Sequence, residues 1–348
     1  MPQPSLSVFL RTALAALAFV VSAGPAPAAD AGPVIDQIRS QGRIVIAHRE
    51  SSVPFSYVGP DKRPIGYAVD VCRRLAAAVQ AKLGLSGLQI DFLQVTPANR
   101  IDAIETGKAH LECGSTTNNA ARREKVAFTI PHFITGARML VKAGSGLERI
   151  DQPEIKRVAV TRNTTPLGAV RRIKAERGLR MEIVETEDHE KAIQMVERGE
   201  ADAFVMDDVL LYGLASVRPD PAALKVVGRF MTTEPLAIML PKGDAAFKKI
   251  VDDEMRRLIF SREIHGIYQQ WFEQAIPPNN VPLNLPISYL LRDFWKFPTD
   301  QVPVVGAGEG KGVGGGGAHG AAIVAAAATG PLRAPGRWGT SRSRAAGS

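Results

Sequence analysis

One phrase occurs twice in this chain of 348 residues, and it restricts the fold more than any other feature. Residues 103–115 read AIETGKAHLECGS: the end of a helix, a Gly, one residue, an Ala, then an apolar strand that stops at a polar residue. Residues 194–207 read QMVERGEADAFVMD and repeat the design, with Gly199 matching Gly107, Ala201 matching Ala109, and Asp207 standing where Ser115 stands. A helix closed by a glycine and followed by a strand is half of a βα unit. Two such units about ninety residues apart predict two lobes of similar design.

The rest of the body supports this reading. Residues 43–47 (RIVIA) form a β-branched run, 67–83 carry Cys72, Leu75, Ala76 and Val79 at helical spacing, 88–93 (LQIDFL) alternate as a strand, and 99–105 read as a short helix. Strand, helix, strand, helix, strand at this spacing predicts βαβ units and a largely parallel sheet. The apolar segments 138–142 (RMLVK) and 236–240 (LAIML) flank the second unit and are expected to be the strands that cross between lobes. Residues 245–274 read as one amphipathic helical stretch, with Tyr268, Trp271 and Phe272 near its end.

The ends differ from the body. Arg11 precedes an apolar run over 12–23, too short for a membrane span, which needs about 20 residues. Ala26-Pro27-Ala28 then supplies a small-x-small cleavage pattern, so residues 1–28 are expected to be a signal peptide and the protein to be exported to the periplasm as a soluble chain. Residues 302–348 hold 13 Gly and 11 Ala without a periodic apolar face and are expected to be a disordered tail. Their Gly310-x-Gly312-x-x-Gly315 spacing lacks a preceding strand and is rejected as a dinucleotide fingerprint.

This partition resolves the net charge of +8. The first 28 residues carry one basic residue and the tail carries five basics and one acid, which leaves the body with 37 basics, 34 acids and a net of +3. Aromatic residues make up 6%. A nucleic-acid partner is therefore not expected. His48, His110, His132, His189, His265 and His319 show no metal-ligand spacing, and neither a P-loop nor a nucleophile motif occurs, so no metal, cofactor or catalytic residue is expected. The only cysteines are Cys72 and Cys113; an exported protein permits a bridge between them, while Cys72 also suits the apolar face of its helix, and both readings stand.

Ligand donors collect at element ends, where open α/β sheets bind their ligands. Arg49 follows the opening strand, Arg100 opens the helix after the 88–93 strand, and Ser115 and Thr117 follow the first repeated phrase. Asn119 is placed to cap a helix with Arg122 at its third position, and Thr165 to cap another with Pro166 first inside it. Asp207 ends the second phrase, and His189 follows Asp188 at a helix start, where a solvated residue is the ordinary occupant. Several cations and one carboxylate in one cleft suit an amino acid with an acidic side chain.

The segments HRESSVPFSY (48–57), PIGYAVDVC (64–72), ECGSTTNNAARREKVAF (112–128), VTRNTTP (160–166), VMDDVLL (205–211) and IPPNNVPLNL (276–285) closely resemble the periplasmic glutamate/aspartate-binding proteins of ABC importers, in solute-binding protein family 3. The resemblance covers about 44–301 and implies a two-lobed type II periplasmic binding protein fold with a hinge cleft. It implies a discontinuous first lobe, 29–136 and 233–301, and a second lobe, 137–232. It also implies that Arg122, Thr117 and Thr165 hold an α-carboxylate, Ser115 and Asp207 an α-ammonium, and Arg49, Arg100 and His189 the side-chain carboxylate. The expected partners are glutamate or aspartate, an ABC permease and, in a sensory role, a chemoreceptor; the expected state is a monomer. Pro97 departs from the family, which carries a Ser three residues before the equivalent of Arg100, and this bears on the balance between the two amino acids. The alternatives are a cyclohexadienyl dehydratase on the same fold, with Glu50 or Asp207 as its acid, or a binder of glutamine, asparagine or basic amino acids.

Overall fold

The computed structural model describes residues 32–301; the expected signal peptide and tail lie outside the described residues. Two five-stranded sheets organise the chain. The first has the order Gln89–Gln94, Arg43–His48, Leu111–Glu112, Met239–Leu240, Ala127–Phe128. The second has the order Glu182–Thr186, Arg157–Thr161, Ala203–Asp207, Ala137–Lys142, Leu224–Val227. In each, the first three strands are parallel and the next runs antiparallel to the third. The strands that end the two repeated phrases hold the same place, each third in its sheet. Gly107 and Gly199, at φ of 71° and 74°, turn each preceding helix into its strand, a left-handed conformation that glycine adopts without a Cβ penalty.

Each sheet is therefore largely parallel, with only the fourth strand running against the other four, but the crossing strands differ from expectation. Ala137–Lys142 pairs with Ala203–Asp207 and Leu224–Val227 inside the second sheet. Its alternating Met139 and Val141 are buried in that lobe's core, which accounts for their hydrophobicity. The chain crosses instead through Phe133–Thr135 and returns through Glu234–Leu236, two short strands paired antiparallel with Glu234 opposite Thr135. Residues 236–240 divide, with Leu236 closing the return strand and Met239–Leu240 entering the first sheet. The run looks uniform because all five residues are fully buried.

Helix Tyr67–Lys82 buries Val71, Cys72, Leu75, Ala76 and Val79 along one face and packs against helix Ala245–Phe260, the periodicity expected of an amphipathic helix. Cys72 and Cys113 form a disulfide, which ties this helix to the end of the Leu111–Glu112 strand. The 245–274 stretch breaks at Ser261 and Arg262, the latter at φ 62°, into Ala245–Phe260 and Glu263–Phe272. The break lets Tyr268 and Phe272 stack on Phe133, at centroid distances of 5.8 and 4.9 Å, so the outgoing crossing strand is anchored in an aromatic cluster of the first lobe. No helix among the described residues is long and apolar enough to cross a membrane.

Candidate functional site

The donors singled out from sequence converge where the two sheets face one another. Arg49 follows strand Arg43–His48; its backbone N–H donates to Ser56 Oγ at 2.9 Å, and its side chain is only 2% exposed. Arg100 is the first residue of helix Arg100–Glu105 and is equally shut away. Asn99 holds the preceding turn, its Oδ1 accepting from Thr96 N at 2.7 Å. Asn119 caps the short helix Ala120–Arg123 by accepting from Arg122 N, as expected. Half-buried Arg122 then folds back, Nη1 donating to the Thr117 carbonyl at 2.9 Å. Ser115 and Thr117 are buried in the loop between, with Ser115 Oγ 3.4 Å from Ser52 Oγ.

The second lobe meets these groups directly. Asn163, at φ 58° in its turn, presents a carbonyl that accepts from Nη2 of both Arg100 and Arg122, at 3.4 and 3.5 Å. Thr165 is not the cap of its helix: Thr164 holds that position, Thr165 is the first helical residue and Pro166 the second. The reason is chemical. Thr165 Oγ1 donates to Glu234 Oε2 at 2.7 Å and lies 3.2 Å from Thr117 Oγ1, so its hydroxyl serves the return crossing strand and the opposite lobe. His189 opens helix His189–Arg198 behind the Asp188 cap but is buried, unlike a solvated first-turn residue; its Nδ1 lies 2.8 Å from Thr161 Oγ1. Asp207 ends strand Ala203–Asp207 at 1% exposure.

All eight expected residues thus gather in one place, and several present polar atoms that the protein leaves unmatched. Arg49 Nε and Nη1, Arg100 Nε, His189 Nε2 and Asp207 Oδ1 are buried without a hydrogen-bond partner. Unpaired buried polar atoms cost about 1–3 kcal/mol each, so a cluster of them calls for a physical explanation. Among the described residues, no ion pair engages Arg49, Arg100 or Arg122. Burial, then the charge of Arg100, lowers Arg49 to about 9, with Glu112 opposing; burial and Arg100 bring Arg122 to about 9 as well. Both remain cationic near neutral pH. Burial and the charges of Arg49 and Arg100 hold His189 well below the imidazole range, so it is neutral. Burial, reinforced by Glu234 and Asp208, pushes the Asp207 carboxyl well up, against the pull of Arg100 and Arg122. A cluster of this kind is stabilised by a molecule that brings carboxylates to the arginines and a cation to Asp207.

Sequence reasoning missed Glu112 and Glu234, both buried beside these groups. A carboxylate inside an apolar strand was the available signal in each case. Glu50, weighed as an acid, is instead exposed and accepts from Gln94 Nε2 at 3.0 Å. Among the described residues, no cluster of three or more His, Cys, Asp or Glu could hold a metal ion.

Residues 44–274 match the family model of the bacterial extracellular solute-binding proteins, family 3. The chain is 36% identical to the glutamate/aspartate import solute-binding protein of Escherichia coli over 84% of its own length and 98% of that relative's. It is also 36% identical to the L-glutamate/L-aspartate-binding protein of Pseudomonas aeruginosa, over 86% and 97% respectively. Among solved structures, a mutant of ArgBP from T. maritima superposes with a TM-score of 0.61 at 22% identity, covering 69% of this chain and 100% of that one, a likeness of fold.

Proposed function

The chain belongs to the bacterial extracellular solute-binding proteins, family 3, and on that premise we propose that it captures L-glutamate and L-aspartate between its lobes for an import system. It acts as a binding protein, not as an enzyme, in keeping with the relatives named for binding and import. The observation that carries the ligand class is the set of three arginines that form no ion pair among the described residues, gathered with Asp207, a buried carboxylate with an unmatched oxygen.

In this reading Arg122 holds the α-carboxylate with Thr117 and Thr165, while Ser115 and Asp207 receive the α-ammonium. Arg49, Arg100 and His189 hold the side-chain carboxylate. With Thr161 donating to His189 Nδ1, the neutral ring carries its proton on Nε2 and donates it to the ligand. The lobes divide as 29–136 with 233–301, and 137–232, and turn about the paired strands Phe133–Thr135 and Glu234–Leu236. Ligand held on the first lobe recruits Thr165, His189 and Asp207 from the second, and closure is favoured by those added contacts. Residues 1–28 direct export to the periplasm, where the closed monomer docks on an ABC permease or reports to a chemoreceptor.

A thermal-shift screen of the twenty amino acids, followed by calorimetry of the hits, tests this. Glutamate and aspartate are expected to stabilise the protein most, and Arg122→Ala to cost about 2–5 kcal/mol of binding because both the ligand carboxylate and Asp207 lose their match. Unchanged glutamate affinity in that variant, or a preference for a neutral or basic amino acid, refutes the assignment.

A further inference from the structure

Glu112 is a carboxylate placed beneath a site built for carboxylates. It closes strand Leu111–Glu112, is 0% exposed, and accepts from Thr116 Oγ1 at 2.8 Å through Oε2, while Oε1 has no partner. Keeping a buried carboxylate with one oxygen unmatched is costly, and an apolar residue would suit this strand position better on packing alone. Its location suggests why it is retained. A Cβ at Gly114 would lie 2.4 Å from Glu112 Oε1 and 3.0 Å from Arg49 Cγ, so the carboxylate and the stem of Arg49 converge on the same point of the loop that leads to Ser115. Its charge acts on Arg49, Arg100 and Arg122 alike, favouring the cationic form of each.

We propose that Glu112 is a specificity-determining residue: a fixed counter-charge under the three arginines that makes the site reject dicarboxylates lacking an ammonium group. This rests on the reading of the site as a binder of acidic amino acids. Once Asp207 is ionised, the charges of the site are three arginines against Glu112, Asp207 and Glu234. An acidic amino acid brings two carboxylates and one ammonium, a net of one negative charge, and the ammonium matches Asp207. A dicarboxylate such as glutarate brings the same two carboxylates with no cation, a net of two negative charges. Without Glu112 the arginines would hold a surplus of positive charge, and the dianion would gain from it about twice as much as the amino acid. With Glu112 in place and Asp207 ionised, that surplus is absent.

Calorimetric dissociation constants for L-glutamate and glutarate in the wild type, Glu112→Gln and Glu112→Asp test the idea at a pH where glutamate affinity no longer rises and Asp207 is ionised, with melting temperature as the check of folding. The Gln variant keeps an acceptor for Thr116 and loses the charge; its preference for glutamate over glutarate is expected to narrow by about tenfold or more. The Asp variant keeps the charge and is expected to stay within about threefold of the wild-type preference. An unchanged preference in a folded Gln variant overturns the proposal, and so does a folded Asp variant whose preference narrows by about tenfold although the charge is kept. Wild-type protein that binds glutamate while the preference stays fixed removes the role of Glu112 alone. Wild-type protein that binds neither acidic amino acid removes the reading on which it rests.

Discussion

Asp207 is one of three buried carboxylates that share the site with its arginines, and its neighbours decide its protonation. It is buried at the end of its strand, Glu234 and Asp208 add repulsion, and these outweigh Arg100 and Arg122, so its carboxyl is raised well above the usual range. The sign of the consequence is fixed. As pH rises through the ordinary carboxylate range, the unfolded chain releases this proton before the folded one, so Asp207 lowers stability from that pH upward until its raised folded value is reached. An ammonium beside Asp207 favours the charged form and expels the proton. Glutamate affinity should therefore increase with pH from the ordinary carboxylate range up to that raised value. Calorimetry in two buffers of different ionisation enthalpy, in the pH range over which affinity is still rising, should give different apparent enthalpies, and Asp207→Asn should abolish the difference. Identical enthalpies for the wild type in both buffers would show that Asp207 holds no proton for the ligand to displace.

Between the lobes, one helix carries a position that its own propensity does not explain. Gly213 lies inside helix Asp208–Ser216, where Ala would be favoured by about 1 kcal/mol. A Cβ there would sit 2.1 Å from the carbonyl oxygen of Val53 and 3.1 Å from Pro54 N, backbone of the opposite lobe. The glycine is what allows the helix to approach that closely. Gly213→Ala should leave the helical signal intact and weaken glutamate binding by about tenfold, because the closed arrangement becomes less populated; an unaltered dissociation constant would refute it. That role was not legible in VMDDVLL or the residues after it, since the constraint comes from a loop 160 positions earlier in sequence. The repeated phrase was legible because its periodicities and closing glycines are local. What failed were readings of apolar runs: 138–142 and 236–240 are hydrophobic from burial on both faces, a property that does not reveal which strand lies beside them. Glu112 and Glu234 were overlooked for a related reason, since a carboxylate is ordinarily on the solvent face. The convergence of these candidate donors was readable because Arg, Thr and Asp stood at element ends, which the topology brings to one place.

At the scale of the molecule, the two lobes are linked by the crossing strands and touch again through the segment after helix Glu263–Phe272. That segment is fixed to the first lobe: Tyr57 OH donates to the Pro277 carbonyl at 2.8 Å, and Leu285 N to the Phe272 carbonyl at 3.0 Å. From there Asn279 Nδ2 reaches the second lobe, donating to the carbonyls of Ser216 and Arg218, both at 3.2 Å, just where helix Asp208–Ser216 ends. Carbonyls at a helix C-terminus lack intrahelical partners, so one amide meets an existing need of the other lobe. The same helix carries Gly213 near its end and follows Asp207 directly, so Asp207 and this outer contact stand at its two ends. Rotation of the lobes apart about Phe133–Thr135 and Glu234–Leu236 would separate Asn279 from both acceptors while leaving the Tyr57 and Leu285 bonds intact. The two bonds thus belong to the closed form and should favour it by about 1–3 kcal/mol. Asn279→Ala is expected to weaken glutamate binding by about tenfold through faster release. The melting temperature of the ligand-free protein should hardly change, and solution scattering should show a more expanded particle at subsaturating glutamate. Loss of melting temperature without loss of affinity would instead make Asn279 a fastener of the first lobe's own fold, with no part in closure.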